Sequence, residues 1–146
     1  MDNFEYIPLD LVMTKTEPND FVPNGVVCEF VSYCNRNKVF VRVAKGIDTF
    51  FLEKGQITPI PLTPEILEKN GWKRNGGQYS FTYKPYAGGK VELIGFFIEM
   101  FKDVHDMLKH RYFQITHENK VICGCFYVHE IQNLLFGLGL NSEMEV

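Results

Sequence analysis

Between residues 26 and 44 the hydrophobic and polar positions follow the period of two that a half-buried strand requires. Val39, Val41 and Val43 alternate with Phe40 and Arg42 in KVFVRVA, and VVCEFVSYC before it is rich in β-branched and aromatic residues. Asn35-Arg36-Asn37 between them has the composition of a tight turn, so 26–34 and 38–44 are expected to pair. A break at Lys45-Gly46 leads into a third run, IDTFFLE (47–53). Residues 1–24 carry Pro8, Pro18 and Pro23 and read as an irregular lead-in with one strand through Leu9–Met13. Short strands joined by tight turns do not stand alone, and this set predicts a small curled meander or SH3-like barrel.

The period then changes. Pro59 and Pro61 hold the chain extended, Thr63 supplies an N-cap, and Pro64 and Glu65 suit the first helical turn. Leu62, Ile66 and Leu67 give an apolar side and Asn70-Gly71 a stop, so a short capping helix is expected. Alternation returns at Gln78–Lys84, with Tyr79, Phe81 and Tyr83 against Ser80 and Thr82. A turn at Ala87-Gly88-Gly89 leads to a longer apolar strand over 91–100. Phe101, Val104, Met107 and Leu108 fall at helical spacing and predict a short amphipathic helix. RYFQIT (111–116) and KVICGCF (120–126) flank the polar His117-Glu118-Asn119 as a hairpin. In the last helix Val128, Ile131, Leu135 and Leu138 form one stripe, extended by Leu134, with Gly137 and Gly139 at its end. The fold class is therefore α+β: a small N-terminal meander or barrel, a short capping helix, then antiparallel strands and a C-terminal amphipathic helix. The whole of 1–146 reads as one compact unit, divisible into a barrel-like part at 1–60 and an α+β part at 61–146.

Composition narrows the class. With 45% hydrophobic and 23% charged residues the chain is globular. No apolar run approaches the ~20 residues of a membrane span, and the acidic start lacks a signal peptide's pattern. These features predict the cytoplasm, of a bacterial host in the reading developed below. The net charge of −3 is unevenly spread: −5 over residues 1–35, +6 over 36–90 and −4 over 91–146. A basic middle third is suited to an anionic partner. Cys28 and Cys34 are spaced C-x5-C, and Cys123 and Cys125 C-x-C. Neither spacing is that of a zinc knuckle, and in strands each pair projects to one face, as small buried residues do.

His129-Glu130 followed by Gln132-Asn133 resembles a zinc-protease helix with its second histidine replaced. Neutral amides are poor zinc ligands, so His129, Gln132 and Asn133 are expected to flank the apolar stripe and bond to neighbouring backbone. No metal and no cofactor are expected. Cys123 and Cys125 lie in an apolar strand, where burial raises thiol pKa. No nucleophile elbow, phosphate-binding loop or dinucleotide fingerprint occurs, and no catalytic residue is assigned.

The most suggestive surface is GWKRNGGQYSFTYKPYAGGK (71–90), which interleaves Lys73, Arg74, Lys84 and Lys90 with Trp72, Tyr79, Phe81, Tyr83 and Tyr86. Cations neutralise phosphates while rings stack on bases. The expected ligand-binding set is Trp72, Lys73, Arg74, Tyr79, Tyr83, Lys84 and Tyr86, with Trp72 and Tyr86 foremost because they fall outside the strict alternation. Against this stands the bland expectation that the alternate rings fill a core and leave the cations as solubilising surface.

Two stretches, ITPIPLTPEILEKNGW (57–72) and YVHEIQNLLFGLGLNSEMEV (127–146), resemble segments of an uncharacterised family of small proteins from Bacteroidetes gut bacteria and their phages and prophages. The resemblance covers about a quarter of the chain firmly, and the family's short N-terminal opening is replaced here by the acidic MDNFEYIPLDLVMTKTEPNDF. It implies a mobile-element origin, where small proteins commonly work by binding and blocking host molecules. The expected function is stoichiometric capture of an anionic partner, a nucleotide signal of host defence or a nucleic acid. The alternatives are an interaction module or inhibitor that binds a host protein, and a nucleotide hydrolase with His129 and Glu130, or the basic residues of the middle third, in its site. Pairing of sheet edges makes a homo-oligomer an option.

Overall fold

The structure is a computed structural model that describes residues 5–84, 88–101 and 109–146, with the side chains of 100, 101, 109 and 110 outside the description. The chain divides into two compact units, Met1–Pro61 with Tyr127–Met144, and Leu62–Phe126 with Glu145–Val146. The C-terminal helix belongs with the first of these units.

In the first unit, β1 (Leu11–Thr14), β2 (Val27–Asn35), β3 (Lys38–Val43), β4 (Thr49–Glu53) and β5 (Ile57–Pro59) form one sheet in the order β4-β3-β2-β1-β5. Every pairing in it is antiparallel. A 3-10 turn at Lys54–Gln56 leads into β5, and the first strand lies between the second and the last. That is the connectivity of an SH3-like meander. Pro59 sits in β5 at the sheet's edge, where a missing N–H disrupts no ladder. The inward face is Tyr6, Val12, Cys28, Phe30, Val39, Val41, Leu52 and Ile57, all buried. Each full-sized apolar side chain there contributes about 1.5–3 kcal/mol of burial.

Helix α2 (Val128–Gly137) completes this unit and packs on β1. Val128, Ile131 and Leu135 are buried as the stripe predicts, but the helix ends at Gly137 and leaves Leu138 as an exposed C-cap. Gln132 is the buried polar anchor. Its Oε1 accepts from Leu11 N–H (2.8 Å), and its Nε2 donates to the carbonyls of Leu9 (3.3 Å) and Ser142 (3.1 Å). One side chain thus ties together backbone groups of both terminal segments and satisfies the Leu11 N–H in a buried setting.

In the second unit, α1 (Pro64–Lys69) begins at Thr63, whose Oγ1 accepts from Ile66 N–H (3.3 Å). It ends where Asn70 Nδ2 bonds the Ile66 carbonyl. Strands β6 (Lys73–Asn75), β7 (Gln78–Tyr83), β8 (Val91–Phe101), β9 (Lys109–His117) and β10 (Lys120–Cys125) form the second sheet in the order β10-β9-β8-β7-β6. Strand β6 was not expected, because Lys73-Arg74-Asn75 show no apolar alternation. Gly76-Gly77 is the two-residue link of a β6–β7 hairpin, and Gly76 takes the positive φ (64°) such turns need. Strand β8 runs through Phe101; the rest of the helix expected over Phe101–Leu108 lies outside the described residues, as does the start of the turn at Ala87.

Register sets the two faces of this sheet. Tyr79 opposes Gly95, which opposes Ile115, and Phe97 opposes Phe113. These residues, with Phe81, Leu93 and Cys125, form the packed side. The other side carries Gln78, Ser80, Ile94, Phe96, Gln114 and Thr116.

Candidate functional site

Among the described residues, the rings of the basic hairpin turn to the packed side. Trp72 is only 3% exposed and stands edge-on to Phe113 (centroids 5.2 Å, interplanar 85°), with Phe81 also 5.2 Å away. Its backbone N–H donates to the Leu67 carbonyl (3.0 Å), which ties it to the end of α1. Tyr79 is equally buried and meets both Phe97 and Phe113 edge-on. Tyr83 is half-buried at the end of β7. Trp72 and Tyr79 therefore do not form the ligand platform expected of them; they close the aromatic core around Phe113. The reason is register. Pairing β7 against β8 fixes which side of the sheet Tyr79 takes, and the α1 C-terminus delivers Trp72 to that same side. Tyr86 lies outside the described residues.

The cations lie at the surface, one of them still against a ring. Lys73, Arg74 and Lys84 are exposed. Arg74 lies with its guanidinium carbon 5.8 Å from the Tyr79 ring centroid and its Nε donating to the Gly76 carbonyl (3.1 Å). Lys73 pairs with Ser80, which pairs with Ile94, so it belongs to the outward face of the sheet.

That outward face holds an open groove of about 650 Å³, within the size range of small-ligand sites. Its working residues are Gln78, Lys90, Ile94, Phe96, Thr116 and His117. Phe96 is 39% exposed and flanked by Gln78 on β7 and Gln114 on β9, so a flat ring is offered among hydrogen-bonding groups. Glu92 and Glu118 also line the groove, and His117 Nε2 lies 3.8 Å from Glu118 Oε1. The groove's own charge is thus mixed, one lysine against two carboxylates, with Lys73 on the same face of the sheet. Of the expected site residues, register places Lys73 on this face; Lys90, which lines the groove, belongs to the same basic stretch. Phe96 and Thr116 carried no signal in the sequence, since strand alternation marks a residue as outward but not as part of a groove.

His129 has a structural position. It is 5% exposed, its ring stacked on Tyr127 (5.9 Å, 14°) and edge-on to Tyr6 (5.2 Å). Burial pulls its pKa down from the usual histidine value, with Glu130 opposing in part. Glu130 accepts from Tyr127 N–H (3.0 Å) and so helps cap α2. Among the described residues no three His, Cys, Asp or Glu side chains are grouped so as to hold a metal ion.

The cysteines divide differently from expectation. Cys28 is buried and its thiol is pushed up to about 11 by burial, but Cys34 is exposed. Register shifts in β2 after Phe30 and after Tyr33 break the parity that would have kept the two on one face.

A second buried titratable group sits in the first unit. Asp10 is 2% exposed, and burial raises its carboxyl from 3.8 to about 6, against a hydrogen bond from Ile7 N–H (2.9 Å) that lowers it. The folded state holds this proton more tightly than the unfolded chain does. Its contribution to stability is complete below 3.8 and is lost as pH rises through about 6. His129 has the opposite sign: its contribution is complete above 6.5 and is lost as pH falls toward its lowered folded value. Asp10→Asn keeps an acceptor for Ile7 N–H without a charge to bury. It is expected to raise stability by on the order of 2 kcal/mol above about pH 6 and to change it little below 3.8. Denaturant titrations on either side of that window check this; an equal change at every pH would assign the effect to packing.

Comparison with known protein families, with curated proteins and with solved structures finds no match to this chain.

Proposed function

We propose that the protein is a binding module that captures a nucleotide-sized anionic ligand in the groove on the outward face of the second sheet. The observation that carries this reading is the exposed Phe96 ring in the lining of a 650 Å³ groove that Lys90 also lines. A base stacks on Phe96, where a ring contact contributes about 1–3 kcal/mol. Gln78 and Thr116 offer hydrogen bonds to its edge, and Glu92 or Glu118 accept from amino or ribose hydroxyl groups. Lys90 and Lys73 meet the phosphate. The mixed charge of the groove favours a mononucleotide over a nucleic-acid strand, whose many phosphates would need a continuous cationic track. The mobile-element origin implied by the sequence resemblance fits a nucleotide signal of host defence as the ligand.

Calorimetric titration with a panel of nucleotides tests it. Binding is expected to weaken about tenfold in Phe96→Ala and in Lys90→Ala, and to weaken with salt. No heat and no thermal stabilisation with any nucleotide would defeat the proposal.

One observation favours a protein partner instead. Phe40 and Phe51 form an exposed ring pair on the outer face of the first sheet (4.9 Å), flanked by the ion pairs Lys38–Glu53 and Arg42–Glu29. Exposed aromatics framed by charge are common interface anchors. Capture of a host protein that survives high salt and is lost in Phe51→Glu would place the function there.

A further inference from the structure

We infer that Cys123-Gly124-Cys125 is a redox-active dithiol that exchanges with small-molecule disulfides. The two Sγ atoms lie 3.3 Å apart, in direct contact and in position to share an S–H···S hydrogen bond. Two strand rises of ~3.4 Å place alternate α-carbons about 6.8 Å apart, the upper edge of the range a disulfide spans. Side chains at such positions share a face but do not ordinarily touch. Here they have already turned toward each other, and closing the bond requires a further approach of about 1.3 Å, from 3.3 Å to the covalent length.

Three features make that closure accessible. β10 is the terminal strand of its sheet, paired through β9 alone among the described strands, so its backbone can pucker at the cost of one ladder. A register shift between Val121 and Cys123 already departs from regular pairing immediately before the dithiol. The residue between the two cysteines is glycine, the one residue with the backbone freedom a small disulfide ring demands. A Cβ at Gly124 would also press on the Tyr112 ring at 3.3 Å.

Exposure assigns the order of events. Cys123 is half-exposed and Cys125 fully buried opposite Phe113. Cys123 loses its proton to solvent and its thiolate attacks one sulfur of the incoming disulfide, forming a mixed disulfide and releasing one thiolate. Cys125 then loses its proton and attacks the Cys123 sulfur, which closes the intramolecular bond and releases the second thiolate. Two electrons pass from the dithiol to the small disulfide, and the two protons end on the two thiolates released. The S–H of Cys125 within reach of the Cys123 sulfur stabilises the attacking thiolate, which offsets the apolar setting expected to hold these thiols inert.

The test uses the full chain carrying Cys34→Ser, which removes the exposed thiol elsewhere. It is equilibrated with mixtures of oxidised and reduced glutathione, quenched with acid, alkylated and mapped by mass spectrometry. The expected result is a graded loss of alkylation at both Cys123 and Cys125, a mass lower by two hydrogens on the peptide that holds them, and no retained glutathione. In Cys125→Ser the resolving thiol is gone, and glutathione is expected to remain on Cys123. Full alkylation of both cysteines at every ratio would overturn the inference, as would a lasting glutathione adduct on Cys123 with Cys125 intact. The measurement on the chain with both cysteines decides the matter even where Cys125→Ser fails to fold.

Discussion

Gly95→Ala is expected to destabilise the second unit by about 3 kcal/mol, a large penalty for adding a single methyl group. A Cβ built on Gly95 would sit 2.0 Å from Phe113 Cζ and 2.5 and 2.7 Å from its Cε atoms. The Phe113 ring lies over the Gly95 backbone, so the absence of a side chain on β8 is what admits the side chain from β9. Nor can the ring retreat. Trp72, Tyr79 and Phe97 surround it at 5.0–5.7 Å between centroids. Overpacking of this kind is relieved only by moving backbone or by forcing rings off their rotamers. Chemical denaturation followed by the fluorescence of Trp72, the chain's one tryptophan, reads this core directly. Shrinking the opposing ring should recover part of the loss, so Gly95→Ala with Phe113→Leu is expected to be less damaged than the two single changes added together. Strict additivity would show that the clash is not the cause.

The same core explains what the sequence could and could not disclose. Period-two alternation in 38–44 correctly marks Val39 and Val41 as inward and Phe40 and Arg42 as outward, because one side of β3 is packed and the other is not. Thr63 and Pro64 set the start of α1, since capping depends on neighbours three residues away. What escaped local reading depends on distant partners. The side taken by Trp72 follows from the register of β7 on β8 and from the end of α1, not from anything at positions 71–73. The parity break that exposes Cys34 comes from bulges visible only once β2 and β3 are paired. Strand β6 borrows its conformation from β7, as three charged and polar residues have little strand preference of their own. The groove is hardest of all to foresee. Gln78, Lys90, Phe96 and Thr116 come from β7, the approach to β8, β8 itself and β9, and only the sheet brings them together.

Trp72→Ala is the second change with a large expected effect, and it separates scaffold from surface in the basic hairpin. Removing the ring empties the space between Phe81, Phe113 and the α1 C-terminus, and large-to-small changes of this kind cost about 3–5 kcal/mol. Trp72→Phe keeps ring contacts and should lose appreciably less. Lys73→Ala, one residue along, removes an exposed cation and should leave stability within about 0.5 kcal/mol. Ligand affinity is expected to respond in the reverse order. Trp72 packs on the side of the sheet opposite the groove, so its loss should lower the amount of folded protein without changing the affinity of what remains folded. Lys73→Ala should weaken binding and reduce its salt dependence, since that cation lies on the groove's own face. Titrations corrected for the folded fraction distinguish the two effects. If Trp72→Phe preserved stability but abolished binding, the ring would have to be meeting the ligand itself, which the packing around Phe113 does not allow without opening the core.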